Sequence, residues 1–204
     1  MLQRLRPAAV TTAAIALWIV FCPARAEAHL NSTGLGPIYD GAAHLLLTPE
    51  DLVPALALAL LAGLRGVRHG RAALFVLPAA WLLGGIAGAV AGHGESRAVA
   101  IASFLVLGVF VAADAPLSLT LLTALTASLG FVHGFQNGAG MGPPGVAAQA
   151  LFGIAGLLFV LTALVVAFVV ELRQPWSRIA VRVLGSWIAA SGLLMLGWAM
   201  HPIR

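Results

Sequence analysis

The chain has 204 residues, of which 61% are hydrophobic and only 9% charged, well below the roughly 25% charged of soluble domains. A soluble fold could not hide that much apolar surface, whereas a protein whose solvent is lipid need not. The formal charge of +4 and pI near 11.0 do not indicate nucleic acid, because the basic side chains are all arginine, scattered between apolar runs, with no aromatic-interleaved basic face to track phosphates.

The chain opens on a secretory-signal pattern. Arg4 and Arg6 make a positive n-region, "AAVTTAAIALWIVF" is the apolar core, and "AEA" ending at Ala28 fits a small-x-small cleavage site. The alternative is an uncleaved first membrane helix. Cleavage of residues 1–28 leaves one membrane domain over 29–204 that begins with His29 and lacks Cys22, the only cysteine. Any metal held by that mature chain must be held by nitrogen and oxygen.

Six apolar spans follow, at about 49–65, 72–92, 98–113, 117–136, 146–171 and 179–200. They predict an all-α integral membrane protein with six transmembrane helices. The first and third fall short of the roughly 20 residues that cross the hydrocarbon core, which predicts tilt or burial by neighbours. Before the first span, Thr48, Pro49 and Asp51 read as an N-cap, an N1 proline and a first-turn acid. "RGVRHGR" (65–71) and "RQPWSR" (173–178) read as basic turns, and "GAGMGPPG" (138–145) as a turn no helix could cross. The two arginine-rich turns are separated by an even number of spans and so share a side, which the positive-inside rule makes cytoplasmic. Both termini of the mature chain are then periplasmic in a bacterial inner membrane.

On that map His29, His44, His93, His133 and His201 fall at the outer face with Asp40, Glu50, Asp51 and Glu95, while Asp114 and Glu171 fall inside. Five imidazoles and four carboxylates at one face form a ligand field for a divalent transition metal. Interfacial tolerance of polar residues accounts for His93 and His201. Glu50 and Asp51 could be acids favoured by the helix dipole, but that role needs only one carboxylate and leaves His44 unexplained. Asp40 stands four residues before His44, on the same face if that segment is helical. In "GFVHGFQNGAG" (130–140), His133 and Asn137 are an i, i+4 pair. The same face continues through Gly130, Thr126 and Thr123 within about an 80° arc at 100° per residue. A polar stripe on a membrane helix faces protein or water rather than lipid, so it reads as a translocation path or as small-residue packing. Asp114, in "ADAPL", reads as a helix-end cap or an ion-exit residue.

These segments resemble the HupE/UreJ hydrogenase and urease accessory proteins, small six-helix membrane proteins. "GAAHLLLTPEDLVPALALALLAG" is similar to their first motif, a His, five residues, then Asp-His before a leucine-rich helix, with His44, Glu50 and Asp51 at the three positions. "FVHGFQNGAG" is similar to their Phe-His-Gly-x-Ala-His-Gly-x-Glu pattern with one extra residue: His133 and Gly134 match the first His-Gly, Asn137 and Gly138 stand at the second, and Gly140 replaces the Glu. The resemblance implies a nickel permease or nickel-supply protein, with metalloenzyme-maturation partners or a homo-oligomer as further associations. Aspartate and asparagine at two imidazole positions admit cobalt or another, harder divalent ion.

Two other classes fit parts of the chain. A metal-sensing or scaffolding membrane protein would bind the ion without moving it. "HGFQN" with "AASG" (189–192) superficially resembles the Asn, His and Ser of a rhomboid protease, with Ser191 as the serine. The absence of a nucleotide-binding loop excludes an internal ATPase.

Overall fold

In the computed structural model, which describes residues 32–92, 96–141 and 144–201, each helix begins at a proline or directly after a glycine or serine. Proline fixes φ for a first turn, glycine frees a tight junction, and Ser118, though not Ser96, caps a first-turn N–H group with its side chain. The described residues form seven α-helices and no strand: α1 (Pro37–Leu47), α2 (Pro49–Arg65), α3 (Val67–Ala91), α4 (Arg97–Ala112), α5 (Leu119–Gly140), α6 (Pro144–Val170) and α7 (Pro175–Met200). The signal-peptide reading and His29, His93 and Glu95 lie outside the described residues.

The six expected spans correspond to α2 through α7, and α1 is an additional helix ahead of them. Four helices, α3, α5, α6 and α7, are long and apolar enough to cross a membrane. Helix α4 is apolar but has 16 residues, about 24 Å at 1.5 Å per residue against a core of about 30 Å. Helices α1 and α2 qualify only as a pair, bent by 78° at their junction. Thr48 stands at that junction as the N-cap of α2, but its side chain makes no capping bond. The basic run expected as a turn is instead mostly helical. Gly66 alone separates α2 from α3, at a φ of 99° that an L side chain rarely adopts, and Arg68 and Arg71 lie in the first turns of α3.

The seam that positions the site is α3 against α5. On α5, an added Cβ at Gly134 would overlap the Trp81 carbonyl oxygen, and one at Gly138 would overlap that of Gly85. On α3, Gly84 and Gly88 stand in the same relation to the carbonyls of Phe131 and Phe135. Small residues at four-residue spacing on both helices let the backbones touch, the packing mode that membrane helices use in place of a hydrophobic drive. Trp81, fully buried, lies in this seam.

One end of the bundle is tied by charge. Asp114, in the turn after α4 at a φ of 50°, is paired with Arg65 at the end of α2 and with Arg178 at the start of α7, 3.2 Å away. Arg182 donates to the Ala112 carbonyl at 2.9 Å. Asp114 is therefore no helix cap; that task falls to Ser118, whose hydroxyl accepts from the Leu121 N–H at the start of α5. The two basic segments, more than a hundred residues apart, do lie at the same end of the fold.

Candidate functional site

Asp51 is in the first turn of α2 and is nonetheless 5% exposed. Its neighbour Glu50 is exposed, so only one of the two acids turns into the bundle. One oxygen, Oδ1, lies 2.7 Å from His133 Nδ1, and Oδ2 accepts from Asn137 Nδ2 at 2.7 Å. His133 and Asn137 are one turn apart on α5, 1% and 8% exposed. The i, i+4 face read from the sequence thus meets a carboxylate from a different helix. A buried ion is expensive unless it is paired and hydrogen-bonded, and here each carboxylate oxygen has a partner.

The other side of the imidazole is also engaged. His133 Nε2 lies 2.9 Å from Ser103 Oγ, which sits in the middle of α4. The Trp81 ring of α3 stacks on the imidazole with centroids 5.5 Å apart and planes at 29°. Four helices therefore converge on His133. Two polar atoms at this centre, Asn137 Oδ1 and Trp81 Nε1, are buried without a hydrogen-bond partner among the described residues. Unsatisfied buried polar atoms are uncommon and call for an explanation such as a bound ion or water.

His44 lies in the last turn of α1, half-buried, and no hydrogen bond among the described residues joins it or Glu50 to Asp51 or His133. Asp40, also on α1, accepts from the Thr33 N–H and, at 2.7 Å, from the Thr33 hydroxyl. No three His, Cys, Asp or Glu side chains converge among the described residues; the constellation is one carboxylate and one imidazole completed by an amide and a hydroxyl. On the stripe of α5, the Thr126 and Thr123 hydroxyls donate to the carbonyls of Leu122 and Leu119 in their own helix. Gly130 faces the Leu77 carbonyl and Ala80 of α3. Ser191 likewise donates to Trp187 of its own helix and is half-buried.

Ser103 and Trp81 were not legible as site residues. Each is a single polar atom inside an apolar run, and only the crossing of α3 and α4 with α5 brings them to His133. The nearest signal is the spacing of small residues around Trp81, Gly84, Gly85 and Gly88, which marks a close helix approach without saying what faces it.

The sequence model of one protein family, HupE / UreJ protein, matches residues 16–195. No curated protein and no solved structure matches the chain.

Proposed function

Because the chain belongs to the HupE/UreJ family, we propose that it is an inner-membrane permease or supply protein for a divalent transition metal, nickel first, with cobalt or another divalent ion as alternatives. The ion is the cargo. The observation that carries this reading is the buried Asp51–His133–Asn137 constellation, which gathers a carboxylate, an imidazole and an orphan amide oxygen from two helices. Nitrogen with oxygen is the donor set that nickel and cobalt accept. Intramembrane ionisable residues are rare and mark ion pathways by default.

In this reading the mature chain begins at His29 after signal cleavage and spans the membrane six times, with α2–α7 as the spans and both termini periplasmic. Asp40, His44 and Glu50 collect the ion ahead of the buried centre, and His29 is a further ligand. The α5 stripe of Thr123, Thr126 and Gly130 and then Asp114 mark the onward direction, which requires the α3–α5 seam to open. A divalent ion moving inward gains about 2.3 kcal/mol per charge per 100 mV of membrane potential, so no chemical energy source is needed.

A second reading follows from the order of Ser103, His133 and Asp51, the order of nucleophile, base and orienting acid in serine hydrolases. Ser103 sits in mid-helix, where backbone N–H groups are spent on the helix ladder and supply no oxyanion hole. That favours ion handling over acyl transfer. A fluorophosphonate that labels Ser103 would reverse the preference.

The test is uptake of nickel, cobalt, zinc and manganese, in competition, by vesicles containing the purified protein. The expected result is accumulation of nickel or cobalt by the parent and none by Asp51→Ala or His133→Ala. Ion bound without accumulation would identify a sensor or scaffold, and no binding at all would end the metal reading.

A further inference from the structure

The partners of the His133 ring decide which of its nitrogens can receive an ion. Asp51 Oδ2 accepts from the Asn137 amide at 2.7 Å, and Oδ1 lies 2.7 Å from His133 Nδ1. An ionised carboxylate has no proton to donate, so against Asp51 the proton in the short contact to Oδ1 belongs to Nδ1. An imidazole protonated at Nδ1 alone presents its lone pair at Nε2, and the Ser103 hydroxyl lies 2.9 Å from that nitrogen, within reach to donate. Trp81 packs flat on the ring, and the side chain is 1% exposed, so the ring cannot turn over to exchange its two nitrogens without unpacking the seam.

We propose that the divalent cation docks on the Nε2 side of His133, against the Ser103 hydroxyl, and that Asp51 orients the imidazole through Nδ1 instead of ligating the ion. This rests on the metal-handling reading above and assigns its atoms. A ligating histidine almost always donates its other ring N–H to a carboxylate or carbonyl, which fixes the tautomer and raises the basicity of the ligating nitrogen. Asp51 and His133 already stand in that relation.

The alternative, an ion inserted between Asp51 and His133, would strip the proton from Nδ1 and break the bond to Oδ1. It would also leave the Nε2 lone pair idle against Ser103. Docking at Nε2 breaks one hydrogen bond, that to the Ser103 hydroxyl. That hydroxyl can rotate, offering an oxygen lone pair to the ion while its proton turns to a carbonyl one turn back in α4, as helical serines do. Ser103 is then a cargo-binding residue on a helix where the sequence showed no candidate, and the site takes a first-row divalent cation that accepts one imidazole and neutral oxygen donors.

Three measurements test this. In a Cys22→Ser background, Ser103→Cys places a sulfur where the hydroxyl stands. Cobalt(II) added to that variant is expected to produce a sulfur-to-cobalt charge-transfer band in the near ultraviolet, absent from the Cys22→Ser parent and from Ser103→Ala. Asp51→Asn is expected to weaken cobalt binding by about 10–100-fold, as loss of an orienting partner does, with the variant still binding. The third measurement needs no substitution at the site. In histidine-15N-labelled parent protein titrated with zinc, the Nε2 resonance of His133 should shift while Nδ1 keeps its bonded proton. Cobalt bound by Ser103→Cys with no new band, or zinc that displaces the Nδ1 proton, overturns the assignment and leaves the metal-handling reading standing. A parent that binds neither cobalt nor zinc overturns both.

Discussion

Asp51 and His133 are 82 positions apart in the chain and 2.7 Å apart in the fold. The contact joins the N-terminal end of α2 to a point seven residues inside the C-terminal end of α5, about 10 Å down that helix at 1.5 Å per residue. It links the two segments of this chain that are similar to the family's motifs.

Removing the carboxylate should therefore damage the fold as well as the function. Asp51→Ala leaves the Asn137 amide and the His133 ring N–H buried without partners, each loss costing about 1–3 kcal/mol. The expected outcome is a melting temperature in detergent several degrees below that of the parent, together with lost nickel binding. Asp51→Asn keeps one acceptor and should melt between the two. Equal melting of all three proteins would show that the pair is not structural.

The α3–α5 seam gives a sharper structural prediction. Gly134→Val puts a branched side chain into the Trp81 carbonyl, and small-residue contacts are what hold membrane helices this close. The variant should fail to accumulate as monodisperse protein. Gly140→Ala on the same helix meets nothing within 4 Å and should behave as the parent in size-exclusion chromatography.

Gly134 and Gly140 share a helix and a residue type, and only their neighbours in the fold tell them apart. Helix boundaries were legible to within a few residues because hydropathy and the Pro, Gly and Ser breaks are local. The pairing of His133 with Asn137 was legible because helical periodicity is local too. Convergence was not. Nothing in "TPED" says that Asp51 turns inward while Glu50 faces out, since the 78° bend at Thr48 decides that. His44, so close in sequence, lies on the far side of the same bend and does not join the Asp51–His133 pair. The stripe of Thr123, Thr126 and Gly130 reads from the sequence as a translocation path or as small-residue packing; in the fold the hydroxyls bond their own helix and the glycine packs on α3, because periodicity gives a face but not its neighbour.

The charged end should be separable from the buried centre. Arg65 and Asp51 terminate opposite ends of α2, fourteen residues apart, about 21 Å along the helix. Asp114→Asn preserves a residue that tolerates the left-handed backbone while deleting the charge shared by Arg65 and Arg178. Metal affinity is expected to match the parent, with a melting temperature lower by a few degrees and the loss reduced at high salt. A fall in affinity would mean that the two ends are coupled.

The last prediction concerns sidedness, on which the direction of transport depends. Arg65 and Arg178 share Asp114, so whichever side receives one basic segment receives both, and their combined positive charge favours the cytoplasm. Cleavage after Ala28 would remove Cys22, leaving a thiol-free chain whose intact mass starts at His29 and into which single cysteines can be placed. Gln174 beside the basic segment and Gly140 at the end of α5 are both exposed, and neither touches the buried centre. With an impermeant maleimide added to intact cells, Gly140→Cys should label and Gln174→Cys should label only after the membrane is opened. The opposite pattern would put Asp51 and His133 at the cytoplasmic mouth, and the same residues would then serve release or export of the ion instead of its capture.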